Sequence, residues 1–301
     1  WNFNYRWQHY GMHVQRYLGA LIAKGGSGSN LSGFPADLFQ GGGRAIRHLV
    51  ALYQRVYHSH LSHLSTEGHL FPLDDAGRFE YKDYVEFTEP YDVRGQRFMV
   101  YRYDDARKQD DAWGFIPALR KVRRLSVHER DDSIGGTEMT LDDFTGFSGR
   151  ILDHTWRFVG WKPILHVMNS RHPYARFYGP NGWLPNDRWE LRLCAVVEQT
   201  PITSRNYSSK IYFWDAETYE TALVLVFDSD RTLWKVSDLL HGWSEDPSQA
   251  AADRGRRLPR NIGFTIVDVK QEQATIFSAY TIEYPEVDVE HVEERYDVNK
   301  L

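Results

Sequence analysis

The stretch RWELRLCAVVEQT, Arg188–Thr200, decides the fold class. Trp189, Leu191, Leu193, Ala195 and Val197 alternate with Arg188, Glu190, Arg192 and Glu198. A period of two is that of a strand, whose successive side chains leave opposite faces of a sheet. One apolar and one charged side predict an antiparallel strand with a dry face and a wet face. Upstream, Arg150–Gly160 repeats the pattern, with Leu152, His154, Trp156 and Phe158 opposite Asp153, Thr155 and Arg157. Downstream, Lys210–Asp215, Thr221–Asp228, Thr232–Ser237, Phe264–Val269 and Ala274–Tyr284 continue the series, with turns such as Asp228-Ser229-Asp230 between them.

Nearer the N-terminus, Tyr84–Glu89, Phe98–Tyr103 and Ala112–Ile116 read as short strands. Arg44–His60 reads as a long one, with a helix as the alternative. Lys24–Gly33 and Gly41-Gly42-Gly43 are breaks. Helical signals are few: Thr140-Leu141-Asp142-Asp143 is a capping box opening a short helix. His241–Ile262 is polar, contains Pro247, Gly255 and Pro259, and is expected to be a long loop and a candidate lid. Strands at short spacing predict a meander, and a one-sided sheet must cover its apolar face. The fold expected is mainly β: one domain over residues 1–301, with a large curved antiparallel sheet forming an open, incomplete barrel and a few helices across its concave side.

The 301 residues carry a formal charge of −5, which gives no reason to expect nucleic acid as a partner. Ten Trp, eighteen Tyr and sixteen Phe suit a broad sheet core or a surface that meets apolar ligands. Cys194 is the single cysteine, so the chain has no internal disulfide and no thiolate-rich metal site; its place in the alternating strand predicts a buried core residue. The longest apolar runs, such as Ala222–Phe227, are too short to cross a bilayer as a helix. The chain begins at Trp1, and a signal peptide and part of the mature N-terminus are expected to lie outside this numbering.

No nucleophile elbow, phosphate loop or dinucleotide fingerprint is present, so no catalytic residue and no cofactor is expected. His58, His60, His63 and His69 are the nearest thing to a metal cluster, but no further ligand motif accompanies them and no metal is expected. Asp131-Asp132 and Asp142-Asp143 lack the spacing of a calcium loop, and the second pair reads as acids at a helix start. Arg120, Lys121, Arg123 and Arg124 form a basic run. It suits a partner or a lipid headgroup, or simply a solvated edge strand, with Lys121 and Arg123 on one face and Arg120 and Arg124 on the other. Trp113 and Phe115 share a face, as do Trp156 and Phe158, and Tyr212 and Trp214. With Leu193 these rings would line an apolar trough if their faces meet on the concave side; an ordinary packed core is the alternative.

The run YRYDDARKQDDAWGFIPALRKVRRLSVHERDDSIGGTEMTLDDFTGFSGR, Tyr101–Arg150, together with the later RWELR strand and the KIYFWDAETYETALVLVFD hairpin, resembles the outer-membrane lipoprotein-sorting-like family, domain of unknown function 1329. The likeness covers roughly residues 1–228 densely and the rest more loosely. It implies a strongly curved, unclosed antiparallel barrel similar to the periplasmic lipoprotein carriers, with helices across its mouth. It also implies a non-enzymatic accessory role in Gram-negative envelope export, beside a resistance-nodulation-division type transporter or another outer-membrane protein. The family supplies no catalytic residues, and no N-terminal lipoprotein cysteine is visible here, which leaves a lipid-anchored and a free protein both open. The function expected is a periplasmic or outer-membrane-associated carrier of hydrophobic or lipid-like cargo, with Trp113, Phe115, Trp156, Phe158, Leu193 and Trp214 as cargo contacts. The alternative is a structural or interaction subunit with a solid core. An enzyme acting on an envelope lipid or glycan has only scattered acids in its favour.

Overall fold

A computed structural model describes residues 11–26, 31, 33–59, 78–125, 130–203, 205–243, 259–283, 294 and 296–301. Its N-terminal strands are β1 (Gly11–Ala23), β2 (Arg44–Tyr57), β3 (Phe79–Glu89), β4 (Arg97–Tyr103), β5 (Asp111–Ile116) and β6 (Lys121–Arg124). Then come β7 (His154–His166), β8 (Phe177–Tyr178), β9 (Leu184–Pro185), β10 (Glu190–Pro201), β11 (Ser209–Asp215), β12 (Thr221–Phe227), β13 (Leu233–Trp243), β14 (Pro259–Asp268) and β15 (Gln273–Glu283). Thirteen of them form one sheet in the order β6-β5-β4-β3-β2-β1-β15-β14-β13-β12-β11-β10-β7, every pair antiparallel. The expected meander holds except at two joins, where β1 pairs with β15 and β10 with β7. The order ends at β6 and β7, so the sheet is open.

Residues 130–153 lie across what is here called the inner face. Ile134, Met139, Phe144 and Phe147 pack there against Leu49, Tyr53 and Phe87 on one side and Val224, Val226 and Leu239 on the other. Helices were expected to cross the sheet, but this segment crosses it with 3-10 turns, Leu141–Gly146 and Ile151–Asp153. The first turn does open on the expected cap: the Asp143 carboxylate accepts the Thr140 backbone N–H at 2.9 Å and its hydroxyl at 2.8 Å. It stops early because Thr145 adopts φ 51°, outside helical space.

Charge pins the segment as firmly as apolar packing does. Arg55 forms a two-pronged bond with Asp83, both contacts 2.6 Å, and Arg102 forms one with Asp110 at 2.7 and 2.9 Å. Arg130 bridges Asp110 at 2.7 Å and Asp142 at 2.6 Å. All three guanidiniums also reach Ser148: Arg55 bonds its hydroxyl at 3.1 Å, while Arg102 and Arg130 each bond its carbonyl at 2.7 Å. The Tyr81 ring lies 4.0 Å from the Arg55 guanidinium carbon and 5.3 Å from that of Arg102.

The outer face is covered by residues 33–43 and 167–189, with Leu38, Val167 and Phe177 packed on Leu18, Val50 and Ile276. Gly41-Gly42-Gly43, expected as a mere break, is a close backbone contact. The Gly42 N–H donates to the Gly179 carbonyl at 2.9 Å, and a Cβ at Gly42 would sit 2.1 Å from the Pro180 carbonyl oxygen.

The expected loop His241–Ile262 is shorter than read. His241, Gly242 and Trp243 pair with Asn261, Arg260 and Pro259, so both ends of that stretch belong to the β13–β14 ladder. Tertiary pairing overrides the polar, proline-containing sequence there. The rest of the candidate lid, residues 244–258, lies outside the described residues. So do His60, His63 and His69; His58 is buried.

Two further histidines are buried with no signal in the sequence. His166 Nε2 donates to the Leu239 carbonyl at 2.8 Å, with Asp238 3.8 Å from the ring, and His241 lies 3.7 Å from Glu220. Burial pushes His166 down to about 4. Burial, and then the neighbouring His166, push His241 down to about 3. Both rings are therefore neutral at pH 7, and neither carboxylate contact is an ion pair there. Burial raises Asp238 to about 6.

Arg130→Met strands the Asp142 carboxylate and should lower the unfolding free energy by about 3–5 kcal/mol. Arg157→Met, at the exposed pair with Glu198, should change it by less than about 1 kcal/mol. Denaturant melts of the two variants check this, and equal losses would refute it. For pH, an unfolded histidine titrates near ~6.5, so the unfolded chain binds more protons than the folded one below that value, and stability falls on acidification. Asp238 acts oppositely: its raised value favours the folded state as pH falls through about 6 and offsets part of the loss. His241→Gln should therefore make the drop in Tm between pH 6.5 and 4 shallower than in the parent protein; an unchanged drop would show that this ring is not held neutral by burial.

Candidate functional site

The register of β7, β10 and β11 brings four of the expected cargo residues onto one face. Trp156 is opposite Gln199, Phe158 opposite Val197, and Pro163 opposite Leu193; across β10, Ala195 faces Trp214. Opposed residues in an antiparallel pair project to the same side, so Trp156, Phe158, Leu193 and Trp214 all stand on the inner face. A bulge at the Val159–Gly160 step of β7 shifts the phase, so that Trp161 and Leu165 join that face as well. Regular alternation through β7 contains no mark of this bulge and puts neither residue on the face of Trp156 and Phe158.

The inner face of β7 and β10 is apolar and uncovered. Leu191 is 70% exposed, Leu165 64%, Phe158 57%, Trp161 55% and Leu193 52%. The expected dry side of Arg188–Thr200 is thus its more open side. The polar side is the closed one: Cys194 and Val196 are buried with Met168, Phe213 and Ala222, and burial raises the Cys194 thiol to about 11. The reason is coverage, since the 130–153 segment reaches only as far as Trp156. Two residues depart from their assigned face for local reasons. Leu152 lies in a 3-10 turn ahead of β7 and is exposed, and Trp189 precedes β10 and joins the outer-face core.

A wall of rings closes the covered end of the strip. Trp156 is 5.9 Å from Tyr212 and 6.0 Å from Trp214, and Phe147 meets Trp156 at 5.2 Å with its ring perpendicular. Both indole N–H groups are satisfied within the wall, Trp156 by the Ile151 carbonyl and Trp214 by the Thr221 hydroxyl, each at 3.0 Å. From that wall the strip runs to Leu165 and Leu191, roughly 20 Å at the rise of an extended strand. The charges of these strands, Arg157, Lys162, Glu190, Arg192 and Glu198, take the opposite face; Arg157 pairs with Glu198 and Arg192 with Asp215.

The free edge of β7 is protected. The Leu193 carbonyl accepts from the Ala216 N–H at 2.9 Å and so faces β11. The Leu193–Pro163 pair is therefore of the non-hydrogen-bonded kind, and Pro163 lacks its N–H on the open side.

Trp113 and Phe115 are not in this site. They stand on the outer face near the opposite edge, opposite Met99 and Arg97, and pack with Tyr296 and Leu301. The basic run forms that opposite edge, and Arg120, Lys121, Arg123 and Arg124 are all exposed. Lys121 and Arg123 share a face as expected. Arg120 does not pair with Arg124: it sits ahead of β6 at φ 48°, closing the 3-10 turn Pro117–Leu119. Arg124 bonds Asp111. Among the described residues no group of His, Cys, Asp or Glu has the geometry of a metal site, and no helix is long and apolar enough to cross a membrane.

Residues 51–301 match the family model described as protein of unknown function, DUF1329. No curated protein matches the sequence. Among solved structures, the fold is similar to a DUF1329 family protein from Desulfovibrio piger, at TM-score 0.62 and 13% identity over 98% of this chain and 92% of that one. It is also similar to a putative outer membrane lipoprotein-sorting protein domain from Vibrio parahaemolyticus, at 0.59 and 13% over 96% and 92%. A LolA superfamily protein from Nitrosomonas europaea follows at 0.51 and 12%, over 99% and 95%.

Proposed function

For this chain, a member of the DUF1329 family of proteins of unknown function, we propose a non-enzymatic role as a carrier that holds hydrophobic or lipid-like cargo against the uncovered face of β7 and β10. One observation carries the reading: a continuous apolar strip, more than half exposed at five positions, from which every charge of its two strands is excluded. Monomeric proteins seldom leave such a surface without a use. The similarity in fold to a putative outer membrane lipoprotein-sorting protein domain and to a LolA superfamily protein supports it, and the proposal includes a periplasmic or outer-membrane-associated location in a Gram-negative bacterium. The exposed run Arg120–Arg124 suits an acidic partner surface or anionic headgroups at the far edge. The similarities in fold do not point to a resistance-nodulation-division type transporter, and that partner is not part of the proposal. A second reading, an interaction subunit without cargo, is favoured by the middle of the inner face, which 130–153 fills with side chains.

A fluorescent long-chain fatty acid should bind saturably and quench tryptophan emission, with Trp161 the main reporter. Leu193→Glu should weaken that binding at least tenfold, a change of about 1.4 kcal/mol, without altering Tm, because the site is open. Trp113→Leu should leave affinity unchanged. If folded protein gives no saturable response to acyl chains or sterols, the interaction subunit replaces the carrier. Reversing Arg123 and Arg124 to Glu should leave Tm nearly unchanged, since exposed pairs contribute little, and should weaken association with anionic vesicles in a salt-dependent way; a large loss of Tm would show that these arginines hold the fold.

A further inference from the structure

A cavity of about 400 Å³ opens on the same inner face away from the apolar strip. It lies where residues 131–143 cross the first residues of β11, β13 and β15. Its size is that of small-molecule sites. Ion pairs, not apolar contacts, hold its walls apart. Lys210 donates to Asp143 at 2.9 Å, Lys235 reaches the Glu138 carboxylate at 2.7 Å and the Glu138 carbonyl at 2.9 Å, and Arg205 pairs with Asp131 at 3.1 Å. Burial pushes Asp143 up, but the Lys210 ammonium and the Thr140 hydrogen bonds together outweigh it and hold the carboxyl below its usual range.

This pairing restricts the ligand. Lys210, Lys235 and Arg205 are each committed to a carboxylate, so among the described residues no cation of the lining is left to receive an anion. Asp132 is exposed and makes no hydrogen bond or ion pair among the described residues, which further disfavours a phosphate or carboxylate guest. Two rings stand in the wall. Trp234 is fixed by its indole N–H to Asp268 at 2.7 Å, and Tyr207 by its hydroxyl to His154 at 3.0 Å. The amides of Asn206 and Gln271 add donors and acceptors at the rim. Each ring already carries an ammonium over one face, Lys235 Nζ at 4.6 Å from the Trp234 centroid and Lys210 Nζ at 4.6 Å from that of Tyr207, so the rings supply apolar carbon to the lining, while paired carboxylates, ammoniums and amides offer both halves of a hydrogen bond. A molecule of many hydroxyls, each able to donate and accept, satisfies such a lining without net charge.

We infer that this cavity binds an uncharged sugar of mono- or disaccharide size. The inference is independent of the carrier reading, because the two sites share no residue. Ligand-observed NMR on the full chain tests it, with glucose, galactose, N-acetylglucosamine and maltose as probes and with spermidine and inorganic phosphate as charged counterparts. At least one sugar should bind saturably. Asp132→Ala and Asn206→Ala, both at exposed positions, should together weaken it about tenfold with Tm unchanged, while Leu193→Glu leaves it as it was. Absence of saturable sugar binding in folded protein overturns the inference. So does sugar binding indifferent to the Asp132 and Asn206 changes, or binding of spermidine or phosphate to the exclusion of sugars.

Discussion

Three arginines converge on Ser148, and the architecture of the inner face depends on that convergence. Arg55 comes from β2, Arg102 from β4 and Arg130 from the crossing segment itself. Asp83, Asp110 and Asp142 balance them one for one. Charges this deeply buried are tolerable only when every one is matched and hydrogen-bonded, so the segment has a single position in which its ends can rest. Apolar contacts from Phe144 and Phe147 alone would allow it to slide along the sheet; the guanidiniums do not. Four of the six partners, and Ser148, lie in the run Tyr101–Arg150 that carries the family resemblance.

That fixed position divides the inner face. Where the segment lies, the sheet is a solid core, and the packed alternative to a trough is the right description. Where the segment ends, beside Trp156, the sheet continues through β10 and β7 with its apolar side chains exposed. The carbonyl of Ile151 orients Trp156, and Trp156 is the last covered residue and the first of the strip. The boundary between core and site is thus set by the same turn that the arginines hold. The polar cavity arises from the same segment at its other end, where Asp143 and Glu138 meet Lys210 and Lys235 of the sheet, and Asp131 meets Arg205 of the β10–β11 connection, instead of apolar side chains.

The strand content, the antiparallel order and the grouping of Trp156, Phe158, Leu193 and Trp214 were legible because alternation is a local property. Which face a strand turns toward a distant strand is not local. Trp113 and Phe115 alternate as cleanly as Trp156 and Phe158, yet several intervening pairings place them on the opposite side. The bulge beside Gly160 escaped notice because one extra residue leaves no compositional mark, and it moved Trp161 and Leu165 into the site. Alternation also tells apolar from polar faces without telling covered from uncovered: Leu191 was assigned to a dry side because an apolar face is normally buried. His166, Asp238 and the cavity around Lys210 were invisible for a related reason, being assembled from segments far apart in the chain.

The proline in β7 has a consequence for assembly. An open sheet that ends beside an exposed apolar strip is the geometry from which strands add to strands without limit, one copy templating the next. A missing amide at Pro163 and the kink beside Gly160 deny an incoming chain the regular ladder it would need, while β6 guards the other end with like charges. An exposed apolar face can therefore stand beside an open sheet edge without offering a regular ladder for a second copy to join. Such a surface can be filled along its face but not extended along its rim.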